Sequence, residues 1–436
     1  MTRDDTSLET FPSLSRAYLT LSILVLAFII AMVDRQILSL MVEPMRATLG
    51  ISNFQIGLLQ GTAFVLFYCL LSIPLGRIAD RSNRKYLIAA GMLLWSFATI
   101  GSAFADSFWT LFLARLCVGV GEATLAPAGY SMLADSFPPN KLVRANATFS
   151  MGAMMGAGAA LLLGGTLLDV TKAFASNIMG GQFEPWQLVF IIVGIPGIIL
   201  TVGLLAFIKE PKRLHDQKLP SLAETFQHIW SLRAHYFPFY ATAALLTVVA
   251  YANLGWLPTH LMKAFAMTPS EVGLTMGLAL IPGAILGASL GPLFTAWLER
   301  RGYADAHMRT VLFVSILIIA PVLAPLLESL ALQIIAIFFY FLLQNSYFGA
   351  VAASLQATTP NRMRAIGMAL FFLIVNLVGL GGGAALVGWF ADNVFADNAG
   401  AIGNSVALVS GTAALGAAII AALTLRNYRD SSAAAS

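Results

Sequence analysis

From residue 17 onward the apolar residues come in long, nearly unbroken runs, rather than in the period-2 or period-3.6 rhythm of half-buried elements. About 20 apolar residues in a row are what a helix needs to cross a hydrocarbon core of roughly 30 Å. The chain offers twelve such runs, and the pattern predicts helices over 17–44, 53–78, 86–105, 108–135, 143–169, 187–208, 236–265, 270–298, 308–327, 331–358, 364–391 and 403–425. The longest polar connection follows the sixth run and contains an amphipathic stretch around LAETFQHIWSLR. It divides the chain into a tail over 1–16, a six-helix half over 17–208, a linker over 209–235, a second half over 236–427 and a tail over 428–436.

Composition agrees with an all-α membrane protein. Of 436 residues, 58% are hydrophobic and only 11% charged, against roughly a quarter charged in a soluble domain. Mean hydropathy is +0.81. Charge then orients the chain. Twenty of the 25 Lys and Arg residues lie in the two tails and in the loops that follow even-numbered helices. Such loops face the cytoplasm, so both termini are expected there. The same placement accounts for the net charge of +4 without a nucleic-acid partner, because the basic residues are not interleaved with exposed aromatics. The first sixteen residues mix Asp4, Asp5 and Glu9 with Arg3 and Arg16. That is a poor basic leader, and the first run is expected to be kept as a helix.

The two halves are related. SFPPNKLVRANA after the fourth helix resembles ATTPNRMRAIGM after the tenth, with Pro139-Asn140 matching Pro360-Asn361 at an offset of 221 residues. Two such halves enclosing a mid-membrane substrate cavity are a transporter plan. Other classes lack their chemistry. The five histidines are scattered without metal spacing, no filter-like segment points to a channel, and no phosphate-cradling Gly-rich loop points to ATP. No metal or cofactor is expected, and a proton gradient is the energy source that remains. An enzyme is not expected.

Four charges interrupt the apolar runs. Asp34 and Arg35 are adjacent in the first helix, and Arg115 and Glu122 are seven residues, two turns, apart on one face of the fourth. At roughly 2.5–3.5 kcal/mol each, four unpaired charges would cost about 10–14 kcal/mol, so they must meet one another or a wet cavity. Neighbours on a helix point about 100° apart. One of Asp34 and Arg35 is therefore expected to pair with the fourth helix while the other faces the cavity. Asp34 is expected to carry the transported proton, with Glu122 as a coupled second acid, since an acid moving between dry and arginine-flanked surroundings loads and releases a proton. Arg35 and Arg115 suit an anionic head group. The competing reading is a pair of salt bridges that only fixes packing, although apolar replacements often serve packing as well or better. Gln60, Tyr68, Tyr130, Asn253, Asn345 and Asn376 are candidate cavity-lining residues, each equally at home in a helix-to-helix hydrogen bond. The carboxyl half shows no buried acid or base in its spans and reads as an apolar wall. An acyl tail would enter between the glycine-rich fifth and eighth helices.

The loop GRIADRSNRK between the second and third helices resembles the signature loop of the major facilitator superfamily, with Gly76, Asp80, Arg81, Arg84 and Lys85 in place and Asn83 where the family usually has glycine. The resemblance implies twelve helices in two pseudo-symmetric six-helix halves and a monomer. It also implies a conformational latch in which Asp80 meets the positive start of the eleventh helix near Met363. Arg115 and Gly119 resemble the superfamily's motif in the fourth helix. The fifth helix, MGAMMGAGAALLLGG, is glycine-rich without the proline of the antiporter motif, which reads as close packing. More narrowly, Val-Asp-Arg in the first helix with GVGEA and Ala134-Asp135-Ser136-Phe137 in and after the fourth resembles the spinster family, and places Asp135 with the latch. That family implies a lysolipid or sphingosine-phosphate-like amphiphile as substrate, with membrane lipid around it. A polyspecific drug or organic-anion exporter of the same superfamily is the alternative.

Overall fold

The structure, a computed structural model, describes residues 11–175, 183–213, 222–360 and 363–435. Among these the ordered elements are helices: α1 (Leu14–Ile37), α2 (Val42–Leu49), α3 (Asn53–Gly57), α4 (Ala63–Arg81), α5 (Arg84–Ser102), α6 (Phe108–Glu122), α7 (Leu125–Ala134), α8 (Pro139–Ala175), α9 (Pro185–Phe207), α10 (Leu222–Ser231), α11 (Arg233–Phe265), α12 (Pro269–Arg300), α13 (Ala306–Leu317), α14 (Ile319–Val322), α15 (Leu330–Ser346), α16 (Phe348–Thr358), α17 (Arg364–Asn393) and α18 (Ala401–Ala435). Eleven stretches among the described residues are long and apolar enough to cross a membrane. The predicted third span is present as α5, but it opens on Arg84 and Lys85 and its apolar part is correspondingly short.

Local chemistry sets the helix starts. Ser107 accepts from the Thr110 amide ahead of α6, and Thr268 and Glu271 form a reciprocal capping box ahead of α12, with Pro269 in its first turn. In α10, Thr225 and Ile229 are buried while Phe226 and Trp230 are exposed and stacked on each other, which makes the linker stretch the amphipathic helix its pattern predicts. The linker's residues 214–221 lie outside the described ones.

Burial is reversed from that of a water-soluble protein. Large apolar side chains such as Leu113, Ile199, Leu278 and Leu423 are exposed, whereas Asp34, Arg84, Arg115 and Glu122 are inside. With lipid outside, exposed leucines carry no penalty, and helix association rests on close packing and polar contacts.

The chain forms two compact units. One comprises Met1–Leu38, Leu66–Ala160 and Leu167–Lys218; the other comprises Ser39–Val65, Leu161–Thr166 and Leu219–Ser436. Two short pieces of the first half thus pack with the carboxyl-terminal helices. In the first unit the glycines of α8 serve close packing as the sequence suggests, since a Cβ at Gly156 would collide with Ile29 and Met32 of α1. In the second unit, Cβ atoms at Gly165 of α8 and Gly273 of α12 would strike the backbone of Pro269 and Leu161. The fifth and eighth helices therefore touch there, and the sideways entry expected between them is closed at that level.

Candidate functional site

Asp34 and Arg35 lie in the last turns of α1, which ends at Ile37 and gives way to a 3-10 turn over Leu38–Leu40. Arg115 and Glu122 lie on α6, and Glu122 is its last residue. The predicted fourth span is not one helix. It breaks at Ala123 and Thr124 and resumes as α7, where Pro127 has no amide hydrogen to return to the carbonyl four residues before it. A short π-helical segment, Leu58–Thr62, carries Gln60 in the second span, a distortion frequent at functional sites.

Two ion pairs join α1 to α6. Arg115 donates from Nη1 to Asp34 Oδ1 at 2.9 Å, and Arg35 donates from Nη2 to Glu122 Oε2. Both members of the adjacent pair therefore engage the fourth span. The 100° between them is satisfied by two different partners two turns apart. Thr99 of α5 donates to the second Asp34 oxygen, so both oxygens of that carboxylate are held. Glu122 Oε1, by contrast, is buried and meets no hydrogen-bond donor among the described residues. Exposure separates the arginines: the Arg35 side chain is 11% exposed and that of Arg115 1%. The Arg35 guanidinium also lies 5.4 Å from the centre of the Tyr68 ring on α4, within cation–π range. Arg115, expected to reach a head group, is instead closed in around Asp34.

The cluster is seated by backbone contact. A Cβ at Gly91 of α5 would collide with Thr124 and the Gly121 carbonyl, and one at Gly121 would lie 2.6 Å from the Gly91 carbonyl and 2.8 Å from the Trp95 nitrogen. The residue before Glu122 is thereby pressed onto α5.

The signature loop builds a second polar centre in the same unit. Arg84, fully buried, donates to Glu210 at 2.7 Å, to Ser131 Oγ at 2.9 Å, to Asp135 at 2.5 Å and to the Pro211 carbonyl at 3.1 Å. Glu210 also accepts from the Lys85 amide at 3.0 Å, capping α5. Arg84 and Asp135 thus form a clamp inside one unit. Arg81 is exposed. Gly76 makes no tight contact, since a Cβ there would sit 3.8 Å from Pro127, an ordinary distance. The side chain of Asp80 lies outside the described residues.

The remaining candidates have separate settings. Tyr130 shares a hydrogen bond with Ser150 at 2.7 Å. Asn253 donates to the Val249 carbonyl and to Ser410, and Asn345 to the Phe341 carbonyl. Gln60 donates to the Gly255 carbonyl at 3.1 Å, and Asn376 is half-buried. Sequence reasoning missed Thr99, Glu210, His260 and Asp392. His260 is 5% exposed and bonded to Gln333 at 3.1 Å, which corrects the reading of the carboxyl half as free of buried titratable groups.

Comparison with known proteins agrees with this architecture. The family model described as Major Facilitator Superfamily matches residues 24–384, and the chain belongs to that superfamily of transporters. Within it, the chain is similar to an MFS-type efflux pump of Mycolicibacterium smegmatis, 27% identical over 95% of this chain and 94% of that protein. It is also 26% identical to the protein spinster of Drosophila melanogaster over 86% of this chain and 62% of that protein. Among solved structures, a bacterial homologue of the human lysosomal transporter spinster, in an inward-facing and unoccupied conformation, superposes with a TM-score of 0.81 at 25% identity, covering 97% of this chain and 98% of that one.

Proposed function

We propose that the protein moves an amphipathic anion of the lysolipid or sphingosine-phosphate class by alternating access, coupled to protons, across the prokaryotic inner membrane. The observation that carries this reading is the unequal state of the two ion pairs. Asp34–Arg115 is almost wholly buried, and both oxygens of its carboxylate are held. Arg35–Glu122 has the more exposed arginine and a carboxylate with one oxygen unmatched. A phosphate reaching Arg35 would compete with Glu122 for the guanidinium. A buried carboxylate stripped of its partner costs several kcal/mol as an anion, and protonation removes that charge. Anion binding at Arg35 and proton binding at Glu122 are then one event, with Asp34 as the coupled second acid. Tyr68, over the same guanidinium, helps to fix its plane. A relative named sphingosine-1-phosphate transporter SPNS2, from Xenopus tropicalis, 25% identical over 77% of this chain, supports the substrate class.

The efflux pump named above, aligned over nearly the whole chain, favours a second reading, export of drugs or organic anions. Flux assays in proteoliposomes separate the two. Labelled lysophospholipid should move faster with an imposed pH gradient than without, and Arg35→Ala should reduce flux at low substrate by about tenfold or more, the loss of one charge-assisted contact. Movement of amphipathic dyes but of no lysolipid would replace the lipid reading with the exporter one.

A further inference from the structure

Within the second unit, the start of α3 is closed by a residue far away in sequence. Asp392, at the end of α17, accepts from the Asn53 amide at 3.2 Å, from the Asn53 side chain at 2.6 Å and from the Phe54 amide at 2.7 Å. These are the unsatisfied donors of a helix amino terminus, where backbone dipoles favour an anion. The seam below this cap is tight enough to exclude side chains. A Cβ at Gly57 or Gly61 would strike the backbone of Ala384 or Leu380, and one at Gly388 the Asn53 carbonyl. Thr62 donates to the Gly381 carbonyl at 2.7 Å, and Lys263 pairs with Glu43 at 3.0 Å.

We propose that Asp392 on the amino end of α3 is a reversible latch, which holds the state seen here and opens once in every transport cycle. The residues it holds, 53–65, continue through the π-helical segment straight into α4, which belongs to the other unit from Leu66 onward. Alternating access moves six-helix halves as bodies, so a tie between α17 and the head of this rod cannot persist in both states. Its parts suit that duty. A carboxylate on backbone amides is strong but compact, and on opening Asp392 and the α3 amides can both be taken up by water because the contact lies at a helix end. The glycine seam adds dispersion and no interlocking side chains, so it separates without rotamer changes.

The test needs no knowledge of the substrate. Spin labels at Ala47 and Ala396, both exposed, in full-length protein with Cys69 and Cys117 replaced by alanine and held in lipid nanodiscs, report the separation of the two segments. Asp392→Asn should move the distance distribution toward longer separations, raising the open-to-closed ratio roughly tenfold for the loss of a charge-assisted contact. Gly388→Ala should do the same without any change of charge. A distribution unchanged in both variants would overturn the proposal. Should the variants fold poorly, Asn53→Cys with Asp392→Cys offers a second route. With the labels carried on a ketone-bearing unnatural amino acid at positions 47 and 396, so that the only thiols are those of the cross-link, oxidation with diamide should hold the labels in the short-distance state and reduction of that disulfide should release them, whereas a long-distance population that survives cross-linking would equally overturn it. Failure of lysolipid flux leaves these readouts intact, so the two proposals stand or fall separately.

Discussion

Arg35 and Arg115 bring the same charge into the same cluster, and their surroundings give them different work. Arg115 and Asp34 are 1% and 2% exposed at the side chain. Arg115→Ala would leave an uncompensated buried carboxylate, and thermal unfolding in detergent should show a loss of about 3–5 kcal/mol. Arg35→Ala, at the more open pair, should lower substrate affinity well before it lowers the melting temperature. Thr99→Val removes one donor from Asp34 and should cost about 1.5–3 kcal/mol, and Thr99→Ser should restore most of it. The four charges were legible in the sequence because an ionised group in an apolar run must find a partner or water. Thr99 was not. A membrane threonine ordinarily bonds to its own helix, as Thr201 does to the Gly197 carbonyl, and nothing in the letters marks those that reach across, as Thr99 and Thr62 do. Glu210 was hidden for a similar reason, since it follows Lys209 in a basic stretch and reads as solvated.

At the scale of elements, apolar length predicted where helices lie and missed where they break. The first span ends one turn after Asp34 and Arg35, and the fourth ends on Glu122. Hydropathy does not register either event, because Leu38, Leu40, Ala123 and Leu125 are as apolar as the turns around them. Ends were displaced for local reasons: α8 begins at Pro139, four residues before the predicted 143, because proline is welcome in a first turn. The breaks place Asp34, Arg35 and Glu122 near helix ends, where backbone groups are less fully used, and leave Arg115 two turns inside α6. They also make the α5–α6 seam decisive. Gly91→Ala should displace Glu122 without altering any charge, and under the proposed proton coupling its signature is a fall in the maximal rate of flux with substrate affinity less affected.

For the whole molecule, the sequence conveyed the two-half plan through the repeat at Pro139-Asn140 and Pro360-Asn361, and the superfamily through Gly76–Lys85. The grouping of residues 39–65 and 161–166 with the carboxyl-terminal helices was beyond it, because it rests on close glycine seams between helices far apart in sequence, which apolar length does not register. The proposed coupling is also a property of the whole. Glu122→Gln keeps the size of the side chain and removes its proton exchange. Flux should then continue down a substrate gradient but lose its response to an imposed pH gradient, measured with a pH-sensitive dye trapped in the vesicles. A response that persists would transfer the proton to Asp34.

The contact between Gly91 and Gly121 has a consequence for how this transporter could change its cargo over generations. Neither position admits even a methyl group, so the backbone that aims Glu122 is fixed before any question of substrate arises. Under the proposed function, variation that alters selectivity falls to side chains such as Tyr68, which meets the more open arginine outside that seam. A mutational scan selected on new amphiphiles should return many substitutions at Tyr68 and none at the two glycines, whatever molecule is used for selection.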